Sequence, residues 1–366
     1  MSSSRYHELT ISQIIEETAD ARSLVFCLPS ELKPLYQYQP GQFITLQIPF
    51  EGKLLSRCYS MSSAPRLDDE LKITVKRVAD GRASNLICGD LKVGDTLSVM
   101  RPAGIFVPPS LNMDLLLCAG GSGITPMLSI LRTALVEGHG RIRLIYANRD
   151  ENSVIFKQEL QHLSREYPDR LEVVHLLDSV QGIPSVALLA RLAQPFIGQI
   201  NLGGCFICGP APYMTAMESA LSMLGLHSDK IYIEKFVSLP DQPSISAAVS
   251  ETSVANRDAA LKRDEVADVA DAIGVEQASV TLELDGETHE FVWDGQDTLL
   301  DAAEKVGLEL PHSCRAGMCA SCMCEVKQGK VQLLANDVLS ERDLSQSLTL
   351  SCQAVPLTDK VHIRYT

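Results

Sequence analysis

Four cysteines fall within eleven residues in the stretch CRAGMCASCMC, residues 314 to 324, and Cys352 stands apart towards the C-terminus. Thiolates ligate soft metals and attack electrophiles. The spacing favours ligation: four residues separate Cys314 from Cys319, two separate Cys319 from Cys322, and twenty-nine follow before Cys352. That is the spacing of a [2Fe-2S] site, in which four thiolates hold two irons. Structural zinc sites usually draw on two short Cys/His pairs, and here the second half offers one isolated cysteine with His362 ten residues on, so zinc fits poorly. Gly317 and the small residues Ala316, Ala320 and Ser321 would let backbone N–H groups approach the sulfurs, where hydrogen bonds tune the potential. Cys324 alternates with Cys322 in the strand-like run CMCEV, so it should point to the opposite face as a buried thiol.

The flanking residues must position that loop. SVTLELDGETHEFVW alternates about Asp285-Gly286 like a hairpin, and DTLLDAAEKVGLEL has helical spacing with an opening Asp cap. With the cysteine spacing, residues 279–366 resemble a plant-type ferredoxin, which implies an α+β β-grasp fold with its cluster loop near the surface.

A second set of polar residues lies far upstream. Arg57, Tyr59 and Ser60, in SRCYSMSS after the strand pattern GQFITLQI, combine a cation for a pyrophosphate, an aromatic wall and a hydroxyl donor, the groups a flavin needs. On alternating strand positions Arg57 and Tyr59 share a face and Ser60 turns away, so bending of the backbone must bring all three to one ligand. In DGRASNLI, Gly81 permits close approach and Ser84 could cap a helix whose N-terminus meets a phosphate. MDLLLCAGGSGITPML reads as buried strand, glycine-rich turn and helix, with Gly120, Gly121 and Gly123 leaving the backbone bare before Thr125. It lacks the G-x-G-x-x-G fingerprint. RIRLIYANR and GCFICGPAPYM supply further strands, the latter ending at Cys208, Gly209 and Pro210, so these loops share one edge of a parallel sheet, where ligands bind in α/β folds.

Taken in order, R-x-Y-S, G-x-x-S, G-G-S-G-I-T-P and C-G-P resemble the ferredoxin–NADP reductase superfamily, and with the C-terminal ferredoxin the resemblance covers nearly the whole chain. It implies an antiparallel β-barrel for FAD over residues 1–110 and an α/β domain with a parallel sheet for NAD(P) over residues 111–238. It assigns Arg57, Tyr59 and Ser60 to the flavin, Gly81 and Ser84 to its pyrophosphate, and Gly120, Gly121, Gly123 and Thr125 to the nicotinamide nucleotide. Cys208, Gly209 and Pro210 would lie beside the nicotinamide, making Ser60, Thr125 and Cys208 the residues nearest the chemistry. Phe236 could cover the flavin's other face or serve as a core aromatic. Arg149 could pair with a 2′-phosphate, but Asp150 and Glu151 beside it would repel one, so NADH is expected over NADPH. The stretches YANRDENSVIF and YIEKFVSLP are similar to reductase components of bacterial ring-hydroxylating, steroid-degrading and phenylacetyl-CoA-epoxidising oxygenases. The implied activity is electron transfer from NADH through FAD and a [2Fe-2S] cluster to a partner oxygenase. Enzymes of this layout also serve desaturases or hybrid-cluster proteins, and a general acceptor reductase or a zinc-held interaction module are competing readings.

Composition sets the outer bounds. The 366 residues exceed a single domain, and 45% apolar with 21% charged content suits a globular chain. No run of about 18 apolar residues is present, MSSSRYHELTISQIIEE holds no apolar core of signal-peptide length and eleven cysteines suit a reducing compartment, so no membrane association and a cytoplasmic location are expected. The net charge of −14 disfavours nucleic acid, and half of it lies in residues 279–366, with 14 acidic and 7 basic side chains. Residues 239–278, rich in Pro, Ser and Ala, read as a linker whose second half could be helical, with Leu261, Val266, Val269 and Ile273 on one side. A linker of that kind would let the ferredoxin domain dock on its own flavin and then on the partner. Cys27, Cys88, Cys118 and Cys205 read as small buried residues. Cys58 and Cys208 have no His within a few residues to activate them as nucleophiles.

Overall fold

The computed structural model describes residues 5–198, 201–236 and 275–365. The linker expected over 239–278, with its helix, therefore lies outside the described residues as far as residue 274. Three larger sheets follow one another along the chain.

The first sheet comprises β1 (Tyr6–Thr18), β2 (Ala21–Cys27), β3 (Phe43–Phe50), β4 (Lys53–Ser60), β5 (Leu71–Lys76) and β6 (Thr96–Met100), with helix α1 (Arg82–Gly89) between the last two. Its order is β4-β3-β6-β1-β2-β5, and every paired strand is antiparallel. Period-two alternation sends Leu9, Ile11, Leu24, Phe26, Ile44 and Leu46 into one apolar core. There the Tyr36 hydroxyl donates to the Val99 carbonyl at 2.6 Å. The edge strands meet at an antiparallel bridge between Met61 and Ile73. Cys27 departs from the expected burial: it ends β2 opposite Thr10 on the solvent face and is exposed.

The second sheet is parallel throughout, in the order β11-β10-β7-β8-β9. Its elements are β7 (Asp114–Gly120), α2 (Ile124–Glu137), β8 (Ile142–Asn148), α3 (Lys157–Glu166), β9 (Leu171–Leu177), α4 (Asp178–Gln181), α5 (Val186–Ala193), β10 (Leu202–Cys208), α6 (Ala211–Met223) and β11 (Ile231–Glu234). All seven residues of β7 are buried, as a central strand covered on both faces requires. Each buried Leu there contributes about 1.5–3 kcal/mol over exposure. From β7 the chain winds outward to β9, then crosses back to β10 on the other side. The topological switch point therefore falls between the carboxyl ends of β7 and β10, Gly120 and Cys208. Arg132 on α2 clamps Asp68 of the first unit through bonds of 2.6 and 2.9 Å.

The third unit has β12 (Gln277–Leu284), β13 (Glu287–Asp294), α7 (Leu299–Lys305), β14 (Met323–Gln328), β15 (Val331–Leu333), α8 (Glu341–Ser345), β16 (Leu348–Leu350), β17 (Ala354–Pro356) and β18 (Lys360–Arg364). The main sheet runs β13-β12-β18-β14-β16, with β12 and β18 parallel. The hairpin forms at Asp285 (φ 53°) and Gly286 (φ 83°), the paired positive φ of a type I′ turn. Strand β12 begins at Gln277, two residues inside the expected linker. Thr298, rather than the preceding Asp, caps α7, its hydroxyl accepting from the Asp301 N–H at 3.2 Å, while Asp297 pairs with Lys305. Trp293 anchors the core, its indole N–H donating to the Asp297 carbonyl at 3.0 Å.

Candidate electron-transfer cleft

A cleft of about 1130 Å³ is lined by all three units. Strand β4 contributes Arg57, Cys58, Tyr59 and Ser60 at its terminal end, where the sheet rim lets both faces of the strand reach the cavity. The Arg57 guanidinium bonds the Ser56 carbonyl at 2.9 Å and has no acidic partner among the described residues, so it can receive an anion. Ser60 is buried, and its hydroxyl donates to Glu234 Oε2 at 2.8 Å. Burial pushes the Glu234 carboxyl up to about 8, with the Ser60 hydroxyl pulling the other way. Sequence reasoning missed Glu234, whose only local mark is its place at the end of the strand IYIE beside Phe236.

Gly81 and Ser84 both line the cleft, but Ser84 is not the cap of α1. Gly81 is itself the N-cap of α1, and Ser84 lies one turn inside the helix. The Ser84 hydroxyl accepts from the Val78 N–H at 3.2 Å, bracing the loop that leads into the helix rather than capping it. Phe236 borders the cleft with 45% of its surface exposed, which excludes the core-aromatic reading.

The switch point supplies the opposite wall through Gly120, Gly121, Thr125, Gly209 and Pro210. Gly121 has φ 52° in the tight turn before α2. Gly123 is bare for a packing reason: a Cβ there would lie 2.1 Å from the Cys208 carbonyl oxygen. Gly123 and Cys208 thus bolt the two loops together behind the cleft without lining it. The Cys208 thiol is fully buried, and burial pushes it well above the ordinary thiol range. Thr125 is buried and donates to the Ser122 carbonyl at 3.1 Å. Arg149, beyond β8, pairs with Asp20 at 3.1 Å, and Glu151 holds Lys157 at 2.5 Å.

At one end the cleft meets the cysteine loop through Met318, Cys319 and Ala320. Arg315, Gly317 and Ala320 have positive φ, and this curl turns the Ala316 and Met318 N–H groups onto the Cys314 sulfur at 3.3 Å each. The Cys314 N–H reaches the Cys319 sulfur at 3.5 Å. The Cys319 and Cys352 sulfurs, then these amides, pull the Cys314 thiol well below its ordinary range and Cys352 lowers Cys322, while Cys319 and Cys352 are themselves raised by these neighbours. Cys314 interacts with both Cys319 and Cys352, and Cys352 also with Cys322, so the four sulfurs gather at one place, as four ligands of one cluster must. Cys324 is buried in the core of the third unit, as expected, and burial raises its thiol. His362 bonds Glu283 at 2.7 Å and is engaged there rather than with the cysteines.

The third unit is held over the cleft by polar contacts. Arg5 reaches Asp285 at 2.9 Å and the Glu309 carbonyl at 2.6 Å, Arg101 reaches Asp285 at 3.3 Å, and the Arg342 guanidinium sits 4.6 Å over the Tyr232 ring.

A helix N-terminus at a switch point, an arginine without an acidic partner among the described residues and a donor-lined thiol loop share one cavity, the arrangement expected of a flavin- and nicotinamide-dependent iron–sulfur oxidoreductase. Comparisons with known proteins agree. Residues 8–107 match the oxidoreductase FAD-binding domain, 117–219 the oxidoreductase NAD-binding domain and 282–357 the 2Fe-2S iron-sulfur cluster binding domain. The ferredoxin reductase component of 3-ketosteroid-9-alpha-monooxygenase from Rhodococcus rhodochrous is 45% identical, over 98% of this chain and 96% of its own. A component of the 1,2-phenylacetyl-CoA epoxidase of Escherichia coli K12 is 34% identical, over 98% of both chains. Phthalate dioxygenase reductase shares the fold, with a TM-score of 0.57 at 22% identity and 98% of both chains covered. The chain belongs to the family of oxygenase reductase components, oxidoreductases with FAD-, NAD- and [2Fe-2S]-binding domains. Among the described residues no helix is long and apolar enough to cross a membrane.

Proposed function

We propose that this reductase draws electrons from NADH and hands them singly to a terminal oxygenase that acts on a steroid-like substrate. The observation that carries the reading is the single cleft on which the flavin strand, the nucleotide switch point and Cys319 converge. When bound, the nicotinamide, FAD and cluster together split a two-electron hydride into single electrons.

The chain's part is to bind, orient and hold protons. Arg57 and the N-terminus of α1 at Gly81, braced by Ser84, receive the flavin pyrophosphate; Tyr59 and Phe236 wall its ring. Ser60 Oγ and Glu234 hold a proton between them on the cleft floor. Gly120, Gly121 and Thr125 shape the start of α2 for the nucleotide phosphates, with Gly123 and Cys208 locking that turn from behind. Gly209 and Pro210 border the nicotinamide. Cys314, Cys319, Cys322 and Cys352 hold the cluster.

The Arg149–Asp20 pair supports NADH over NADPH, because a carboxylate already occupies the cation that a 2′-phosphate would seek. The Met61–Ile73 bridge between edge strands supports a closed β-barrel over residues 1–110. The sheet order with β12 beside β18 supports a β-grasp domain over 279–366, with the α/β domain at 111–238 and the linker at 239–278. Unpaired cysteines throughout the described residues suit the cytoplasm. The acidic third unit suits a basic patch on the oxygenase. Of the two relatives above, the 45% identity to a ketosteroid system against 34% to an acyl-CoA system favours the steroid type.

Reconstitution with a ketosteroid-type terminal oxygenase tests this reading. NADH should drive substrate hydroxylation at least about tenfold faster than NADPH, the factor that one unsatisfied charge contact supplies. Dye reduction without hydroxylation, or a preference for NADPH, would refute it.

A further inference from the structure

Of the four β4 residues that line the cleft, Cys58 is the one to which none of these roles falls. Cys58 lies between Arg57 and Tyr59 and pairs in register with Thr45, whose buried hydroxyl is 3.4 Å from the Cys58 sulfur. Across the boundary with the third unit, Cys58 Sγ is 3.5 Å from Ser321 Oγ and 3.8 Å from Ser313 Oγ. Ser321 Oγ is in turn 3.4 Å from Cys319 Sγ. Both serines are buried, with 6% of Ser313 and 3% of Ser321 exposed. Cys319 is also the one cluster cysteine that lines the cleft among the described residues.

The donor order follows from the chemistry of the site. A metal-bound thiolate accepts and cannot donate, so the Ser321 hydroxyl must give its only proton to Cys319. Its lone pairs then face Cys58, whose one S–H has Ser321 at 3.5 Å and Ser313 at 3.8 Å as acceptors, and the shorter of the two completes a chain to Cys319. We propose that Cys58 is a positioning residue for electron entry: its thiol donates to Ser321, Ser321 donates to the Cys319 sulfur, and this chain seats the cluster loop on the flavin strand. The inference rests on the assignment of Cys319 as a cluster ligand. The same hydrogen bond stabilises the negative charge that the cluster gains on reduction.

The test uses full-length protein carrying flavin and cluster, with Cys58→Ala, Cys58→Ser and Ser321→Ala. EPR-monitored titration reads the cluster potential, and stopped-flow mixing with NADH reads flavin bleaching and cluster reduction separately. Cys58→Ala should move the potential to a more negative value and slow cluster reduction roughly three- to tenfold, the factor one hydrogen bond commands, with flavin bleaching unchanged. Cys58→Ser, which keeps a donor, should restore both. Ser321→Ala, which removes the bond to the Cys319 sulfur itself, should shift the potential in the same direction and further than Cys58→Ala, and the double variant should match Ser321→Ala; Ser321→Ala carries the test if Cys58→Ala loses iron. A wild-type potential and rate in Cys58→Ala and Ser321→Ala would overturn the inference, as would failure of Cys58→Ser to restore them. Absence of a cluster signal in the parent protein would overturn the ligand assignment as well.

Discussion

Cys314 and Cys322 of the cluster loop and Cys118, Cys205 and Cys208 of the parallel sheet are all buried, yet their thiols shift in opposite directions. On β7 and β10, burial acts nearly alone and pushes the three sheet thiols up. In the loop, neighbouring sulfurs and inward-turned amides pull Cys314 down, and Cys352 pulls down Cys322, against a burial penalty of the same sign. Burial alone raises a thiol; in the loop close sulfurs come first and inward-turned amides second, lowering Cys314 while its partners Cys319 and Cys352 are raised. A strand cannot do this, because its N–H groups are committed to neighbouring strands.

The largest break of this contrast is Cys319→Ser. It should abolish the cluster's EPR signal and lower electron delivery to an acceptor protein by more than about 100-fold, with dye reduction by NADH retained. Loss of dye reduction too would contradict separable flavin and cluster units.

Glu234 extends the comparison to a carboxyl group that has burial and a single donor. Its folded value is raised to about 8 from an ordinary 4.5, so between these pH values the folded flavin-free protein holds a proton that the unfolded chain releases. Stability from this group is therefore greatest below pH 4.5 and falls as pH rises towards 8, by less than the full shift because the side chain borders the open cleft. Glu234→Gln should flatten that slope in urea unfolding of flavin-free protein at several pH values.

A smaller effect is expected at the polar seam. Asp285→Ala removes the shared partner of Arg5 and Arg101, and should slow cluster reduction by about two- to fivefold at low salt and less at high salt, measured by stopped flow. The smallest belongs to Cys208→Ala, which should leave both cofactors bound and turnover within about twofold, at about 1 kcal/mol of stability by thermal unfolding. A collapse of turnover there would restore a chemical role to the thiol.

The same physics explains what could be seen from sequence. Three cluster cysteines lie within nine residues, and the hairpin at Asp285-Gly286 rests on local φ preferences, so both were legible. Arg57, Tyr59 and Ser60 were legible as a group because they are close together on one strand. Ser60 and Glu234 are 174 residues apart and meet only once two sheets pack, so no local pattern marks the pair. Helix starts were misplaced by one or more residues at Thr298 and Gly81, where several residues could cap and tertiary contacts decide. Cys27 is of a type that favours interiors, yet its register opposite Thr10 puts it outside.

The most direct test of the account is anaerobic titration of the purified protein with NADH, and separately with NADPH, followed by visible absorbance and EPR. The account predicts that NADH bleaches the flavin first and that a [2Fe-2S] signal then grows in. Flavin bleaching with no cluster signal in iron-replete protein would contradict it, because the CRAGMCASCMC loop would then not be the electron outlet.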